Sequence, residues 1–137
     1  MRKDKLEREG RATGEFQVFA KPAGPRCNLG CMYCYYLETE HLHPKGGPLR
    51  MSEEVLEKYI AQQIDAWPDP PVFFSWHGGE PTLLGVEYFR RIVALERKHA
   101  PPGCPVANGI QTNGTILDED WCRFLAAERF AVGLSLD

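Results

Sequence analysis

The stretch VFFSWHGGEPTLLG, residues 72 to 85, decides the fold class. Residues 72–77 form a nearly continuous apolar run, which is typical of a strand that is covered on both faces. A glycine-rich turn follows this strand at once, and a helix is predicted after it over 86–98. A buried strand, a polar turn and an amphipathic helix together make one repeating unit of a parallel α/β sheet.

The same unit recurs on both sides of this stretch. The alternation of apolar and polar residues in EFQVFAKP predicts a first strand over 15–21, which Pro22 ends. Further strands are predicted over 106–112 and 131–137, and further helices within 51–67 and 117–130. Right-handed crossovers place such helices outside a parallel sheet. The sequence therefore predicts an α/β fold with four strands and three helices.

Length and charge exclude several classes of protein. With 137 residues the chain suits one domain, and its formal net charge of -3 offers no basic field that would attract nucleic acid. It contains no run of about 18 apolar residues that could span a membrane and no apolar signal-peptide core. We therefore expect a cytoplasmic protein with no nucleic-acid or membrane partner. Residues 1–14 alternate basic and acidic side chains and are predicted to be a disordered tail.

Polar and glycine-rich segments follow every predicted strand. A loop segment over 22–51 follows the first strand, and its first part, residues 22–34, is named the cysteine loop. GGEP, residues 78–81, follows the second strand. QTNG, residues 111–114, and SLD, residues 135–137, close the third and fourth strands. Because the carboxyl ends of parallel strands meet at one edge of a sheet, the four segments are predicted to converge there on an active site.

Three of the five cysteines lie within eight positions in CNLGCMYCYY, residues 27 to 36. In a reducing cytosol such a cluster is more often a metal or redox site than a set of disulfides. Three thiolates at Cys27, Cys31 and Cys34 without a fourth suit a cubane iron-sulfur cluster with one iron left open. A zinc site, which needs a fourth ligand, and a C-x-x-C redox pair, which leaves Cys27 without a role, remain as alternatives.

CNLGCMYC resembles the C-x3-C-x2-C signature of radical S-adenosylmethionine enzymes, in which an aromatic residue precedes the third cysteine. The resemblance implies that Cys27, Cys31 and Cys34 bind a [4Fe-4S] cluster and that Tyr33 lies against the adenine of S-adenosylmethionine. It also implies a partial (β/α)6 barrel, similar to a TIM barrel, of which this chain holds about the first four strands and three helices. The chemistry implied is the formation of a 5'-deoxyadenosyl radical.

HGGEP is the second element that resembles this family. Gly78 and Gly79 are expected to let a backbone edge approach the cofactor closely, because they carry no side chain. Glu80 is expected to pair with the cofactor's ammonium group, and Pro81 is expected to fix the turn.

QTNG and GLSLD are similar to later elements of the same core. Ser135 is a candidate hydrogen-bond donor to the carboxylate of the cofactor, and Gln111 is expected to face the central cavity. For Thr112 and Asn113 a structural role in the turn is an equal alternative, since Asn and Gly commonly end strands.

Four longer stretches of the chain are together similar to the N-terminal portion of anaerobic sulfatase-maturating enzymes. They are FAKPAGPRCNLGCMYCYYLE, FSWHGGEPTLLG, IQTNGTILDEDWCRFL and VGLSLD. The resemblance implies oxidation of an active-site cysteine or serine of a sulfatase to Cα-formylglycine, with a sulfatase polypeptide as substrate. It implies an electron donor such as ferredoxin or flavodoxin. Two alternatives remain: another radical enzyme that modifies peptides, and a zinc or iron-sulfur binding module without catalysis.

The family pattern is longer than this chain. Residues 15–137 are therefore expected to be the N-terminal portion of a radical core domain, without the rest of the barrel and without an auxiliary-cluster domain. The family's catalytic acid is expected beyond Asp137, so no catalytic residue is assigned. Among the other reactive side chains, His77 is expected to pack near the cluster and Cys122 to be a small buried apolar residue.

Overall fold

The computed structural model describes residues 11–43 and 50–136. Most of the predicted tail, residues 1–14, lies outside the described residues, as does Asp137 at the end of the predicted fourth strand. Where the tail is described, the backbone N–H of Ala12 donates to the carbonyl of Ala66 at 2.9 Å. This bond attaches the N-terminal segment to the body of the fold.

The centre of the molecule is a sheet of four parallel strands, in the order β1-β2-β3-β4. Its strands are β1 (Phe19–Ala20), β2 (Val72–Trp76), β3 (Val106–Thr112) and β4 (Ala131–Leu134). Each strand therefore pairs with the next one along the chain. The parallel α/β sheet that the sequence predicts is confirmed.

Strand β1 is much shorter than the predicted strand over 15–21. Only Phe19 and Ala20 pair with β2, opposite Ser75 and Trp76. The alternating residue Phe16 does not continue the sheet, because its ring packs against Trp67 with the ring centroids 4.8 Å apart. The apolar contact at the end of a helix takes precedence over strand pairing there.

Three long helices connect the strands, as the apolar periodicity predicts. They are α2 (Glu53–Ala66), α3 (Val86–His99) and α4 (Glu119–Ala127), and a short helix α1 (Tyr35–Thr39) precedes them. The hydroxyl of Ser52 accepts from the N–H of Val55 and begins α2, and Asp118 accepts from the N–H of Trp121 and begins α4. Both residues satisfy amides that have no partner within the helix. Helix α1 was not predicted.

The hydrophobic core lies between one face of the sheet and helices α2, α3 and α4. Val72, Phe74 and Trp76 of β2 are buried on this face, whereas Phe73 on the other face is 50% exposed. The prediction that this strand is covered on both faces is therefore wrong for the residues that the structure describes. The face that holds Phe73 instead presents small and polar residues at Ser75, Gly109 and Gln111.

A chain of buried polar groups crosses the core beneath α3. The indole N–H of Trp76 donates to Asn108 Oδ1, and Asn108 Nδ2 donates to Glu96 Oε2, each at 2.8 Å. The second oxygen of Glu96 is buried and has no hydrogen-bond partner among the described residues. Burial raises the pKa of Glu96 to about 7.

The position of Cys122 on α4 differs from the sequence prediction. Trp121, Phe124 and Leu125 supply the buried face of this helix, and Cys122 is turned away from them into solvent. The prediction of a buried Cys122 is therefore wrong, since the residue that follows Trp121 falls on a different side of a helix. No helix within the described part of the chain is long and apolar enough to cross a membrane.

Candidate functional site

The cysteine loop and the turn after β2 meet through their backbones at the carboxyl edge of the sheet. The N–H of Gly79 donates to the carbonyl of Gly24 at 2.8 Å, and the N–H of Glu80 donates to the carbonyl of Arg26 at 2.6 Å. The N–H of His77 donates to the carbonyl of Ala20 at 2.7 Å, directly before this contact. The segment that carries the cysteines is thus fixed against GGEP, as the strand order predicts.

Both glycines are required by this contact. A Cβ atom on Gly79 would lie 2.0 Å from the carbonyl oxygen of Arg26, and one on Gly78 would lie 2.8 Å from that of Gly24. Gly78 also has φ of 137°, which side chains disfavour. The sequence predicts a close approach to a cofactor at these glycines, and the structure places the close approach against the backbone of the cysteine loop.

Glu80 is buried within the turn that the sequence assigns to the cofactor site. The residue is only 1% exposed, and its carboxylate accepts four hydrogen bonds from the protein. Oε1 accepts from the N–H and the hydroxyl of Thr82, at 3.1 and 2.6 Å, and from the hydroxyl of Thr112 at 2.7 Å. Oε2 accepts from the N–H of Asn113 at 2.7 Å. These donors belong to the turn after β2 and to the end of β3, so the carboxylate joins the two segments, and its expected pairing with an ammonium group stays a prediction.

Pro81 is buried and begins a short 3-10 turn, Pro81–Leu84, that continues from Glu80. Its ring suits the first position of such a turn, where no N–H donor is needed. Pro81 therefore lies at the turn that the sequence assigns to it.

Asn113 and Asn28 join QTNG to the cysteine loop. Asn113 Nδ2 donates to Asn28 Oδ1 at 2.9 Å and to Cys27 Sγ at 3.7 Å. Asn28 Nδ2 donates to the hydroxyl of Thr115 at 2.8 Å, and the N–H and hydroxyl of Thr115 both donate to Asn113 Oδ1. The sequence analysis missed Asn28 and Thr115, since no spacing pattern signals a contact between residues 87 positions apart.

Gln111 and Ser135 lie side by side on adjacent strands. Gln111 Nε2 donates to the hydroxyl of Ser135 at 2.9 Å, and the N–H of Ser135 donates to the carbonyl of Thr112 at 2.9 Å. The side chain of Gln111 covers Gly133, where a Cβ atom would lie 2.1 Å from Oε1. The structure thus brings together two residues that the sequence assigns to one cofactor site.

The three clustered cysteines are free thiols. Cys27 is exposed, and Cys31 and Cys34 are half-buried and joined by a turn in which the N–H of Cys34 donates to the carbonyl of Cys31 at 3.0 Å. Their chemistry fits a cluster that needs three thiolates from one accessible loop. Among the described residues, no three His, Cys, Asp or Glu side chains are gathered as a metal site.

Two aromatic residues flank the site. Tyr33, between the second and third cysteines, is 69% exposed. The ring of His77 packs edge-on against Phe19 with the centroids 4.5 Å apart, and its Nε2 lies 3.2 Å from the hydroxyl of Ser75. Burial, with a smaller contribution from Lys21, lowers the pKa of His77. His77 is thus a packed residue at the strand end, as predicted.

Sulfatase-maturating enzymes are among the proteins that are similar to this chain. The serine-type anaerobic sulfatase-maturating enzyme of Bacteroides thetaiotaomicron is 42% identical over 120 residues, which are 88% of this chain and 29% of that enzyme. The cysteine-type enzyme of Clostridium perfringens is 41% identical over 121 residues, which are 88% of this chain and 32% of that enzyme. The chain therefore spans about a third of the length of these relatives.

A solved structure and a family model agree with these similarities. Native anSMEcpe with bound AdoMet and Kp18Cys peptide matches with a TM-score of 0.75 and 39% identity, over 85% of this chain and 30% of that one. The family model of the Radical SAM superfamily matches residues 22–137, from the start of the cysteine loop through β2, β3 and β4. The chain belongs to the radical SAM superfamily.

Proposed function

We propose that residues 15–137 form the N-terminal portion of a radical SAM core whose enzyme oxidises an active-site cysteine or serine of a sulfatase to Cα-formylglycine. The observation that carries the proposal is the backbone contact between the cysteine loop and Gly79–Glu80. It holds the segment that carries the three free thiols against the turn after β2, and Cys27 Sγ lies 3.7 Å from Asn113 Nδ2, just after the end of β3. Identities of 42% and 41% to a serine-type and a cysteine-type relative support both target residues equally.

The chain's own residues supply the binding part of this chemistry. Cys27, Cys31 and Cys34 would hold the [4Fe-4S] cluster, and Tyr33 would cover the adenine of S-adenosylmethionine. When bound, S-adenosylmethionine supplies a 5'-deoxyadenosyl radical that can remove hydrogen from a substrate carbon. The carbonyl edge at Gly78 and Gly79 would orient the amino group of the cofactor.

The uncovered face of the sheet would hold the rest of the cofactor and the peptide. Gln111 and Ser135 lie on this side at the carboxyl ends of β3 and β4 and offer hydroxyl and amide groups to a carboxylate. Ser75 and Gly109 have small or absent side chains, which leaves room for a ligand beside them. The reaction also needs electrons, for which we propose a ferredoxin or flavodoxin. The five free cysteines suit a reducing cytoplasm.

The first test is metal content after anaerobic reconstitution with iron and sulfide. We expect about four irons per chain and the broad visible absorption of a thiolate-bound cubane cluster. Cys31→Ala should lose most of this iron, because two thiolates cannot hold the cluster. Cys104→Ala is the matched control, since Cys104 lies in another loop, and it should bind as much iron as the wild type. Stoichiometric zinc without a cluster, or unchanged iron in Cys31→Ala, would contradict the assignment.

The second test is turnover of a peptide that contains the target cysteine or serine of a sulfatase. The enzyme that contains residues 15–137 together with the rest of its radical core is reconstituted and incubated with S-adenosylmethionine, a chemical reductant and the peptide. We expect 5'-deoxyadenosine and an aldehyde on the peptide, both detected by mass spectrometry. Formation of 5'-deoxyadenosine with oxidation of a different peptide only would support the alternative of another peptide-modifying radical enzyme.

A further inference from the structure

We propose that Asn113 is a positioning residue that donates an N–H···S hydrogen bond to Cys27 and thereby raises the reduction potential of the cluster bound there. The inference rests on the proposed function only in taking Cys27 as a cluster ligand. Asn113 lies 86 positions from Cys27 along the chain, and its side-chain amide reaches the sulfur at 3.7 Å.

The sulfur of Cys27 has two N–H donors. The backbone N–H of Leu29 donates to it at 3.4 Å, and Asn113 Nδ2 donates to it at 3.7 Å from the segment that follows β3. Hydrogen bonds to sulfur are longer than those to oxygen because the sulfur atom is larger. The donor from Leu29 belongs to the loop itself, whereas the donor from Asn113 comes from the end of β3.

The orientation of the Asn113 amide is fixed by its neighbours. Asn113 Oδ1 accepts from the backbone N–H of Thr115 at 3.0 Å and from its hydroxyl at 2.8 Å. A backbone N–H can only donate, so the atom that faces it must be the oxygen. The NH2 group must therefore point toward Cys27 and Asn28.

Glu80 holds the backbone of Asn113 in place. Its Oε2 accepts from the N–H of Asn113 at 2.7 Å, and its Oε1 accepts from the hydroxyl of the preceding Thr112. Because the carboxylate is buried, these bonds are not weakened by water. GGEP thus contributes to the cluster environment through Asn113, in addition to its backbone contact with the cysteine loop.

A donor at a ligating sulfur stabilises negative charge. Reduction adds one electron to the cluster and its thiolates, so the reduced form gains more from the N–H donor than the oxidised form does. Removal of the donor should therefore make reduction harder.

The test is a redox titration of the reconstituted cluster, followed by electron paramagnetic resonance. Asn113→Ala removes the donor without adding charge, and Asn113 has no positive φ that alanine would strain. We expect the equilibrium constant for reduction to fall about tenfold, which is about 59 mV for a one-electron couple. Resonance Raman spectra in H2O and D2O give a second readout: the deuterium shift of the Fe–S(Cys) stretch should shrink in the variant.

The control variant is Thr115→Ala. It removes the hydroxyl that contacts both Asn28 and Asn113 and leaves the donor to sulfur in place, so the potential should stay near that of the wild type. Should Asn113→Ala fail to take up iron, Asn113→Asp retains both acceptor contacts with Thr115, lacks the donor, and should show the same loss of the deuterium shift.

Two outcomes would overturn the inference: an unchanged potential and deuterium shift in the Asn113 variants, or an equal change in Thr115→Ala. Failure of the proposed function is distinguishable. It would appear as a wild-type enzyme, containing this portion and the rest of its core, that binds the cluster and shows the Asn113 effect but does not oxidise the sulfatase peptide.

Discussion

Glu80 is a buried carboxylate surrounded by neutral donors. Its four hydrogen bonds join the turn after β2 to the end of β3, so one side chain stabilises both segments beside the cysteine loop. The sequence identifies this residue as part of the site but assigns its charge to a ligand. The four bonds within the protein could not be predicted, since the sequence places Thr112 and Asn113 on the next strand without showing that their donors point back at residue 80.

Glu80→Gln should destabilise the cluster-free protein by about 2 kcal/mol, because hydrogen bonds to a charged group are worth roughly 1.5–3 kcal/mol and an amide cannot accept all four. The free energy of unfolding from urea titration is the measurement. Glu87→Gln is the matched control, since the Glu87 side chain is 82% exposed, and it should change the stability little. If the two substitutions change the free energy of unfolding equally, the buried hydrogen bonds of Glu80 do not stabilise the fold more than an exposed carboxylate does.

Among the elements, the cysteine loop depends on the turn after β2 for its position. The backbone contact at Gly79 leaves no space for a side chain, whereas Gly30 within the cysteine loop has no atom within 4 Å of a built Cβ. The two glycines are of one residue type and lie in two segments that the sequence assigns to one site. Only the structure separates a glycine that is required from one that is not.

Gly79→Ala should therefore detach or shift the cysteine loop, because the added carbon would lie 2.0 Å from the backbone oxygen of Arg26. We expect a loss of stability of about 2 kcal/mol or more, in the range of overpacked sites, and clearly weaker iron uptake. Gly30→Ala should retain both properties. Urea titration and iron analysis of the two variants check this, and similar values for both would contradict the packing shown here.

The elements themselves were predicted with different success. Helices α2, α3 and α4 carry strong apolar periodicity and recognisable caps at Ser52 and Asp118, and these local signals are sufficient to predict them. The predicted length of strand β1 is wrong because the alternating pattern competes with a contact between Phe16 and Trp67, which are distant along the chain. Helix α1 has five residues and no buried side chain, so no apolar periodicity in the sequence predicts it.

At the scale of the whole molecule, the sequence predicts the parallel α/β sheet and the family, and the structure and the family match confirm both. The cofactors predicted with the family, a [4Fe-4S] cluster and S-adenosylmethionine, agree with this membership. What could not be predicted is the buried chain Trp76–Asn108–Glu96 beneath α3. Its members lie on three elements, and each one alone has an ordinary role in its helix or strand.

Glu96 should make the stability of the whole fold depend on pH. Its pKa is about 7 in the folded protein, where burial disfavours the charge, against 4.5 for the free side chain. The folded state therefore binds more protons than the unfolded state between these values, and stability must fall as the pH rises. From pH 5 to pH 8 we expect a loss of about 2 to 3 kcal/mol from this residue.

Glu96→Gln should remove that loss while keeping the acceptor for Asn108. Urea titrations of the wild type and the variant at pH 5 and pH 8 give the difference directly, and other titrating groups, such as His77, cancel in the comparison. If the free energy of unfolding depends on pH equally in the wild type and the variant, Glu96 is charged or solvated in the folded protein at pH 5, and the expectation is wrong.

The strand order β1-β2-β3-β4 has a consequence for how the described sheet can assemble. Each strand pairs only with the strand before it and the strand after it, so every pairing joins strands that are consecutive along the chain. The two residues of β1 bury too little to pair alone, and β2 and β3, which pair over five positions, are the natural nucleus. The sheet can therefore grow from its middle strands in both directions while the chain is being synthesised, with each new helix closing over the strand just added.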